Sequence, residues 1–415
     1  MRSEQPLFFD ILKDKNFRGL LRESQRRALS WNEFLDHPLP SNLSPLQTNK
    51  ALESLGRCLG VHLFESFDGE LLWYRKTYEL TELLNKIEGY VNNDSATMRQ
   101  LFVHQAQLQK TAFLEREIRA CLTLSQTGRG TQRKTLLEKK NESWVSNLAN
   151  TYKAIEARLA SDPQPFSPEL VERIAQELLD SAGADQASNA LYFRAPLQLK
   201  TAYQSTLQGI SKYLHNPHNH DEPDYLKGVL VGSVIRSQGL FASATTLVAS
   251  LVAKLIYREL NIPLLAALPL TEAISKWRSN SYASFCVCDY ESYRQTLKRT
   301  PANYTLHQTI LAQCVIFSLD DLARHITDIR DQEHSLLKTL RENTNLNKRQ
   351  RAVLLDLLKS FPAGISIRDY QAENDISYAT ARRDLLTLEE EHFLSSRIIG
   401  KTLVFTAEKS QLSQG

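Results

Sequence analysis

The chain contains little cysteine, proline or glycine. Its 415 residues include only 5 Cys, 14 Pro and 15 Gly. So little Gly and Pro excludes a collagen-like or linker-dominated chain and favours long uninterrupted elements. Five scattered cysteines exclude a disulfide framework, and Cys286 and Cys288 have no second Cys or His pair nearby at zinc-ligand spacing. We therefore predict buried free thiols in a reducing compartment and no metal site.

A large excess of charge of one sign is also lacking. Lys and Arg total 50 against 47 Asp and Glu, so the net charge at pH 7 is +3. This balance excludes a histone-like protein that binds polyanions with its whole surface, and any contact with nucleic acid must come from a local basic patch. With 42% hydrophobic and 23% charged residues, the composition is that of a globular protein with roughly two to four domains.

The sequence gives no sign of an export signal or a membrane anchor. The first ten residues include Arg2, Glu4 and Asp10 and no apolar run. Two long uncharged stretches, residues 237–253 and 300–319, contain several polar residues, and we interpret them as buried core helices. A cytoplasmic protein without a membrane partner is predicted.

Apolar residues recur at spacings of three and four along most of the chain, which predicts a mainly α-helical fold. The pattern is clear at residues 78–87, 167–179 and 323–340. We divide the chain into an N-terminal helical region at 1–105, a central helical domain at 106–340 and a compact C-terminal domain at 341–410. The N-terminal region, with Trp31, Trp73 and Tyr74, is predicted to be a packed helical domain, and no function is assigned to it.

The C-terminal domain shows the sharpest local pattern. A first helix at 349–361 places five apolar residues on one face: Val353, Leu354, Leu357, Leu358 and Phe361. Ser366 and Ser377 are suitable N-caps for a second and a third helix, and the third runs to about residue 391. Residues 397–405 then predict two short strands around Gly400 and Lys401.

The third helix and the strands carry the candidate DNA-contacting residues. These are Ser377, Tyr378, Thr380, Arg382, Arg383, Arg397 and Lys401. The N-terminus of a helix offers backbone N–H groups to phosphates, while Arg and Thr side chains reach bases. The run S-x-A-T-A-R-R-D-L resembles the recognition helix of bacterial winged helix-turn-helix domains, including those appended to Fic-family proteins. The resemblance implies double-stranded DNA as a partner, and a homodimer that reads a two-fold operator.

The central domain resembles the Fic (filamentation-induced-by-cAMP) fold. Asn150, Tyr152 and Ala154 match the N-x-Y-x-A pattern of that family, and the pair at 193–194 (Phe-Arg) matches its pre-catalytic Phe-Arg. The segment 261–265 then corresponds to its Gly-Ile/Leu-Pro turn, with Asn261 in place of Gly.

Counting back from that turn places the catalytic Fic motif on residues 239–250, which we call the degenerate-motif window. The motif's histidine falls on Gly239 and its metal-binding acid on Ser243. Its glycine loop falls on Ala244, Thr245 and Thr246, and its two arginines fall on Leu247 and Ser250. Only Phe241 matches the motif. The resemblance therefore implies a body without a general base, a metal ligand or a phosphate cradle. We predict no catalytic residue, no cofactor and no enzyme activity.

These observations predict a DNA-binding transcriptional regulator built on an inactive Fic-like body. Two alternatives stay open. The first is a nucleotidyl transferase with non-standard residues, for which His218, His220 and Glu222 are the only candidate catalytic residues. The polar segment 215–224 around them is either a metal site or a plain turn. The second is a protein-docking adaptor or antitoxin-like partner. Within the regulator hypothesis, the body serves dimerisation, docking of a protein partner or binding of a small-molecule effector.

Overall fold

The computed structural model describes residues 8–66, 68–92, 96, 99, 112–126, 142–181, 197–216, 224–238, 241, 244–279, 287–342, 346–359, 364–399 and 402–407. Within these residues the protein is mainly helical, with eighteen α-helices and two small antiparallel sheets. The predicted mainly α fold is confirmed. The chain forms two compact units, an N-terminal unit of Met1–Arg99 with Leu108–Asp320, and a C-terminal unit of Gln100–Gln107 with Asp321–Gly415.

The N-terminal unit is built from helices and one β-hairpin. In chain order its elements are α1 (Phe8–Lys13), α2 (Lys15–Arg26), α3 (Trp31–Asp36), α4 (Pro45–Leu59), β1 (Val61–Glu65), β2 (Leu71–Tyr74), α5 (Tyr78–Val91), α6 (Ala112–Gln126), α7 (Glu142–Ser161), α8 (Pro168–Ser181), α9 (Leu197–Leu214), a 3₁₀ turn (Asp224–Leu226), α10 (Lys227–Gln238), α11 (Thr245–Glu259), α12 (Pro263–Ala267), α13 (Leu270–Arg278) and α14 (Tyr290–Arg299). The long helix α15 (Thr305–Glu342) begins in this unit and continues past Asp320 into the other.

Side-chain caps explain where several of these helices begin. Ser30 and Ser44 each start a helix with a capping box, in which the cap and the third helical residue satisfy one another's backbone N–H groups. At α8 the predicted cap is confirmed, because the backbone N–H of Leu170 donates to the Ser167 hydroxyl at 3.1 Å and Pro168 occupies the first helical position.

The N-terminal region contains one β-hairpin that the prediction of a helical domain did not include. β1 and β2 form an antiparallel hairpin in which Val61 pairs with Tyr74 and His62 with Trp73. Gly69 in the connection has φ +77°, a conformation that glycine adopts without strain. Two backbone hydrogen bonds attach the hairpin to residues 302–304. The Trp73 N–H donates to the Ala302 carbonyl at 3.0 Å, and the Trp73 carbonyl accepts from the Tyr304 N–H at 2.7 Å. These pairings join residues far apart in sequence, which the helical periodicity does not report.

Helix α11 lies at the centre of the N-terminal unit. Every residue from Thr245 to Tyr257 is buried. Helix α10 approaches it closely where Gly228 and Gly232 face the carbonyls of Ala253 and Ala249, since a Cβ on either glycine would lie 2.7 Å from the carbonyl oxygen. Asn261 ends α11 with φ 57°, so it adopts the left-handed conformation that Asn tolerates better than most residues.

The C-terminal unit contains three further helices and a three-stranded sheet. They are α16 (Lys348–Lys359), β3 (Ile365–Ser366), α17 (Ile367–Asn374), α18 (Tyr378–Glu390), β4 (Leu394–Ile399) and β5 (Thr402–Ala407). The strand order is β3-β5-β4, all antiparallel, and β4 pairs with β5 from Leu394–Ala407 to Ile399–Thr402. The predicted order of three helices followed by a hairpin is confirmed.

One apolar core holds this unit together. Val353, Leu354 and Leu357 of α16 are buried as predicted; the side chains of Leu358 and Phe361 lie outside the described residues. The three buried residues of α16 pack with residues of β3, α17, α18, β4, β5 and the connection before β4: Ile365, Ile367, Tyr370, Ala381, Leu385, Leu388, Phe393, Leu394, Phe405 and Ala407. Ser366 caps α17 with a capping box, which confirms the predicted cap.

Two predictions from composition are tested by the fold. In the described part of the chain no helix is long and apolar enough to cross a membrane. The described cysteines are free thiols, and Cys121 and Cys314 are buried as predicted. Cys288 is only half-buried and Cys58 is exposed, so the predicted burial was wrong for Cys58. Cys58 lies near the end of α4, on a face that the apolar core of this region does not cover.

Candidate functional site

The start of α18 is fixed by its local sequence. Asp375 adopts a left-handed conformation with φ 50°, which turns the chain sharply after α17. Ser377 then caps the new helix, because its hydroxyl accepts the backbone N–H of Thr380 at 3.1 Å. A cap of this kind satisfies one N–H group of the first turn and leaves others open to solvent or a ligand.

The structure brings most of the predicted DNA-contacting residues to one exposed region. Ser377, Arg382 and Arg383 are exposed, and Tyr378 is 49% exposed at the first helical position. Thr380 is half-buried, with its hydroxyl 2.9 Å from that of Ser377. The opposite face of the helix, with Ala381, Leu385 and Leu388, lies fully in the core. The exposed residues are therefore held on a helix whose orientation is set by packing.

Asp384 is a residue whose role the sequence analysis missed. It follows the two arginines directly but is buried, at 3% exposed. Its carboxylate accepts from the Nε and an Nη of Arg349 at 3.2 and 3.1 Å, from the Asn347 amide at 3.2 Å and from the Tyr370 hydroxyl at 3.4 Å. The signal available in the sequence was its position three residues after Ala381, on the buried side of the helix.

The burial of Asp384 decides the electrostatics of the exposed face. Residues 377–383 contain two arginines and no acidic residue. The nearest carboxylate along the helix is enclosed and neutralised by Arg349, so it does not compensate the two exposed arginines. Further along, Glu389 accepts the backbone N–H of Ser396 at 3.0 Å and thereby joins the helix to β4. The first turns of α18 thus present two cations and no carboxylate to solvent.

The β4–β5 hairpin presents the remaining predicted residues. Arg397 is exposed on β4, opposite Val404 in the register. Its neighbour Ile398 is 75% exposed, more than any other large apolar residue of the described chain. Lys401 lies outside the described residues.

The degenerate-motif window lies in a different place, at the buried start of α11. Phe241 is fully buried, and its backbone N–H donates to the Thr245 hydroxyl at 2.9 Å. The other described positions of the window are all at most 6% exposed: Ala244, Thr245, Thr246, Leu247 and Ser250. Gly239 and Ser243 lie outside the described residues. The described part of the window is therefore packed into protein and closed to solvent.

Ser250 belongs to a buried polar network. Its hydroxyl lies 2.8 Å from the Tyr152 hydroxyl and donates to the carboxylate of Glu117 on α6. The second oxygen of Glu117 accepts the backbone N–H of Thr271 at 3.0 Å. Burial and the Glu117 charge raise the pKa of Tyr152 well above its usual value. Tyr152, the central residue of the N-x-Y-x-A pattern, therefore joins α7 to α11 through its contact with Ser250. The segment at 193–194 lies outside the described residues.

The polar segment 215–224 is described only at its two ends. His215 Nε2 lies 2.8 Å from Glu259, and Asp224 pairs with Lys227 at 2.6 Å. His218, His220 and Glu222 lie outside the described residues. Within the described part of the chain, no group of three or more His, Cys, Asp or Glu is placed to hold a metal ion.

Comparison with known proteins adds no assignment. No protein-family model matches the chain, and no curated protein matches it either. A function for this chain is therefore argued from its residues and their geometry.

Proposed function

We propose that residues 341–410 of the C-terminal unit form a winged helix-turn-helix domain that binds double-stranded DNA, and that the chain is a transcriptional regulator. The observation that carries the proposal is the exposed start of α18, where Arg382 and Arg383 face solvent while the adjacent Asp384 is buried against Arg349. A helix whose N-terminal half is basic, and whose other face is held by a core, suits insertion into the major groove.

The chemistry of the exposed residues fits a DNA ligand. The guanidinium groups of Arg382 and Arg383 bind phosphates or the acceptor edge of guanine, and the N–H groups of the first turn bind a phosphate. Tyr378, half-exposed at the helix start, offers a hydroxyl and an apolar ring to the sugar-phosphate backbone. A local patch of this kind is what a protein with a net charge of only +3 needs.

The hairpin supplies the wing in this proposal. Arg397 is exposed on β4, and Lys401 lies between β4 and β5 in the sequence. Both side chains contact the DNA backbone and fix the angle of the domain on the duplex, which is the role of phosphate contacts in general.

The same proposal treats the N-terminal unit as a Fic-like body without transferase activity. Support comes from the degenerate-motif window, because Ala244, Thr246 and Ser250 fill with buried side chains the region where that chemistry needs an open phosphate cradle and an arginine. The body then serves dimerisation, or the binding of a protein partner or effector.

Binding of the full-length protein to a DNA fragment from its own upstream region tests the proposal. Replacing Arg382 and Arg383 together by Ala removes two groups that bind phosphates or bases. We expect weaker binding and a log–log salt dependence that is shallower by about 0.9 for each phosphate that the variant no longer neutralises. Gel retardation at several salt concentrations measures both quantities.

The matched control is R294A, which removes an exposed arginine from α14 in the N-terminal unit and is expected to leave binding and slope unchanged. Unchanged binding in the double variant would show that α18 is not the reading element. If the wild-type protein retards no DNA and instead purifies with a stoichiometric protein partner, the unit is a docking module.

The inactive body has its own test. Full-length protein incubated with labelled ATP and cell lysate is expected to transfer no label. Reproducible transfer, abolished by replacing His218, His220 and Glu222, would identify the chain as an enzyme with non-standard residues.

A further inference from the structure

Three charged side chains surround a small cavity inside the N-terminal unit. Glu117 comes from α6, Arg236 from α10 and Lys254 from α11, and the cavity has a volume of about 10 Å³. Glu117 is 2% exposed and Lys254 is 5% exposed. Arg236 is half-buried as a residue, but its Nε is closed off from solvent. The proposed DNA-binding face does not involve these three charges, and among the described residues of the degenerate-motif window only Ser250 touches them, by donating its hydroxyl to Glu117.

Two of the three charged groups, those of Glu117 and Lys254, have close hydrogen-bond partners. Glu117 accepts the Ser250 hydroxyl on one oxygen and the Thr271 N–H at 3.0 Å on the other. Lys254 Nζ donates to the carbonyls of Ala266 at 2.6 Å and Leu268 at 3.3 Å, at the end of α12. An ammonium has three donors, so one remains for the cavity.

Arg236 is not satisfied. One Nη donates to the Thr271 hydroxyl at a long 3.4 Å, and the buried Nε has no hydrogen-bond partner. The neighbouring carboxylates are engaged elsewhere, since Glu272 pairs with Arg116 and Lys276, and Glu156 pairs with Arg258. A buried donor without a partner costs free energy unless a ligand or water fills the place.

The charges around the cavity do not cancel. In their charged forms Arg236 and Lys254 carry two positive charges against one negative charge on Glu117. Burial lowers the pKa of both cations, and the nearby Glu117 carboxylate acts in the opposite direction. A net positive charge enclosed by protein attracts a small anion more strongly than a neutral water, because the surroundings screen it poorly.

We propose that this cavity is a binding site for a small monovalent inorganic anion of the size of chloride, held by Arg236 Nε and Lys254 Nζ. The volume is close to the space that one water-sized group requires, so phosphate, nucleotides and organic acids are excluded by size. Val229, Leu268 and Ile274 complete the lining with apolar surface, which keeps further water out. The anion connects α10 and α11 with the start of α13 and neutralises the excess charge between them.

Thermal unfolding of the full-length protein in sodium chloride and in sodium gluconate of equal ionic strength tests the site. Gluconate is too large to enter. Chloride is expected to raise the midpoint in a saturable manner beyond gluconate, as a ligand of the folded state does. The variant R236Q is expected to lose this chloride-specific rise, whereas R294Q, which removes an exposed arginine of α14, is expected to keep it. An equal response to the two salts in the wild-type protein, or an undiminished chloride effect in R236Q, would overturn the proposal.

A second measurement is independent of the folding of R236Q. Crystals of the wild-type protein grown with bromide are expected to show an anomalous peak beside Arg236 Nε and Lys254 Nζ, and a cavity that holds water or nothing gives no peak and disproves the site. T271V, which keeps the backbone N–H to Glu117 but removes the hydroxyl that orients Arg236, is expected to raise the chloride concentration at half-saturation about tenfold.

Discussion

At the scale of single residues, the position of each charge in the fold matters more than its place in the sequence. Arg383 and Asp384 are neighbours in the chain, yet Arg383 faces solvent and Asp384 is enclosed by Arg349, Asn347 and Tyr370. Removing one partner of such a buried pair leaves an uncompensated charge, whose cost is larger than the stabilisation that the intact pair supplies. The pair therefore acts mainly to fix α18 against α16 and to leave the exposed face basic.

His307 provides a second case at this scale. It is 7% exposed on α15, between the Ser233 hydroxyl at 2.9 Å from its Nε2 and the Tyr293 hydroxyl at 2.8 Å from its Nδ1. Burial, together with the nearby positive charge of Arg236, lowers its pKa to about 3. The imidazole is therefore neutral in the folded protein throughout the physiological range.

This neutral histidine predicts a loss of stability in acid. In the unfolded chain its pKa is about 6.5, so between pH 6.5 and 3 the unfolded state binds a proton that the folded state does not. With respect to His307, the free energy of unfolding is therefore highest above pH 6.5 and decreases as the pH falls toward 3. We expect H307Q to remove a loss of about 2 kcal/mol in the free energy of unfolding between pH 7 and pH 5. Urea unfolding measured by tryptophan fluorescence reports this, since Trp31, Trp73, Trp144 and Trp277 all belong to the N-terminal unit.

The comparison must be made between the variant and the wild-type protein, because Glu53 acts in the opposite direction. Burial raises the pKa of Glu53 to about 7, against only one opposing hydrogen bond from Asn303. The folded state therefore binds a proton at Glu53 between pH 7 and 4.5, and this contribution grows as the pH falls. An identical pH dependence in H307Q and the wild-type protein would show that His307 is not held neutral.

At the scale of elements, the packing of α10 on α11 decides the N-terminal unit. Gly228 and Gly232 lie one turn apart on α10, opposite Ala253 and Ala249 one turn apart on α11. Small residues at these positions let the two backbones approach closely, and α11 becomes buried along nearly its whole length. The sequence shows the apolar character of α11 but not which helix covers it.

The contact predicts that G232A destabilises the protein. An added Cβ would lie 2.7 Å from the Ala249 carbonyl oxygen, which belongs to backbone and cannot rotate away. We expect a loss of about 1–3 kcal/mol in the free energy of unfolding through overpacking, despite the better helix propensity of Ala.

The matched control is G89A in α5, where an added Cβ meets nothing within 4 Å. Since only helix propensity changes there, that variant is expected to be stabilised by about 0.5–1 kcal/mol. Urea unfolding followed by tryptophan fluorescence measures the free energy of unfolding of both variants and of the wild-type protein. Equal stability changes in G232A and G89A would contradict a close approach of α10 to α11.

At the scale of the whole molecule, two compact units divide the work in the proposed function. The C-terminal unit has few exposed basic residues on its proposed reading face, so one copy has limited affinity for DNA. Two linked copies bind far more tightly, because the second binding event is intramolecular. This is the physical reason to expect a homodimer.

The dimer predicts the size and symmetry of the bound site. Full-length protein is expected to sediment as a dimer and to protect two half-sites whose centres are about 34–36 Å, or one helical turn, apart, or a multiple of that spacing. Selection from a random DNA pool followed by footprinting measures both. A monomer that protects a single half-site would contradict the predicted arrangement while leaving DNA binding intact.

Local periodicity and capping were enough to predict one group of features. The helical character of the chain, the caps at Ser167, Ser366 and Ser377 and the buried face of α18 follow from neighbouring residues, whose preferences act over a few positions. The resemblance of the central domain to Fic proteins and of the C-terminal domain to winged helices remains a prediction.

Features that join distant parts of the chain emerged only once the chain was folded. The β1–β2 hairpin depends on its contacts with residues 302–304. The basic face of α18 depends on the pairing of Asp384 with Arg349. The charged cavity forms because α6, α10, α11 and α13 meet at one point. Burial and long-range hydrogen bonds set these outcomes, because an identical side chain is exposed or enclosed according to what packs against it and not according to its neighbours in the sequence.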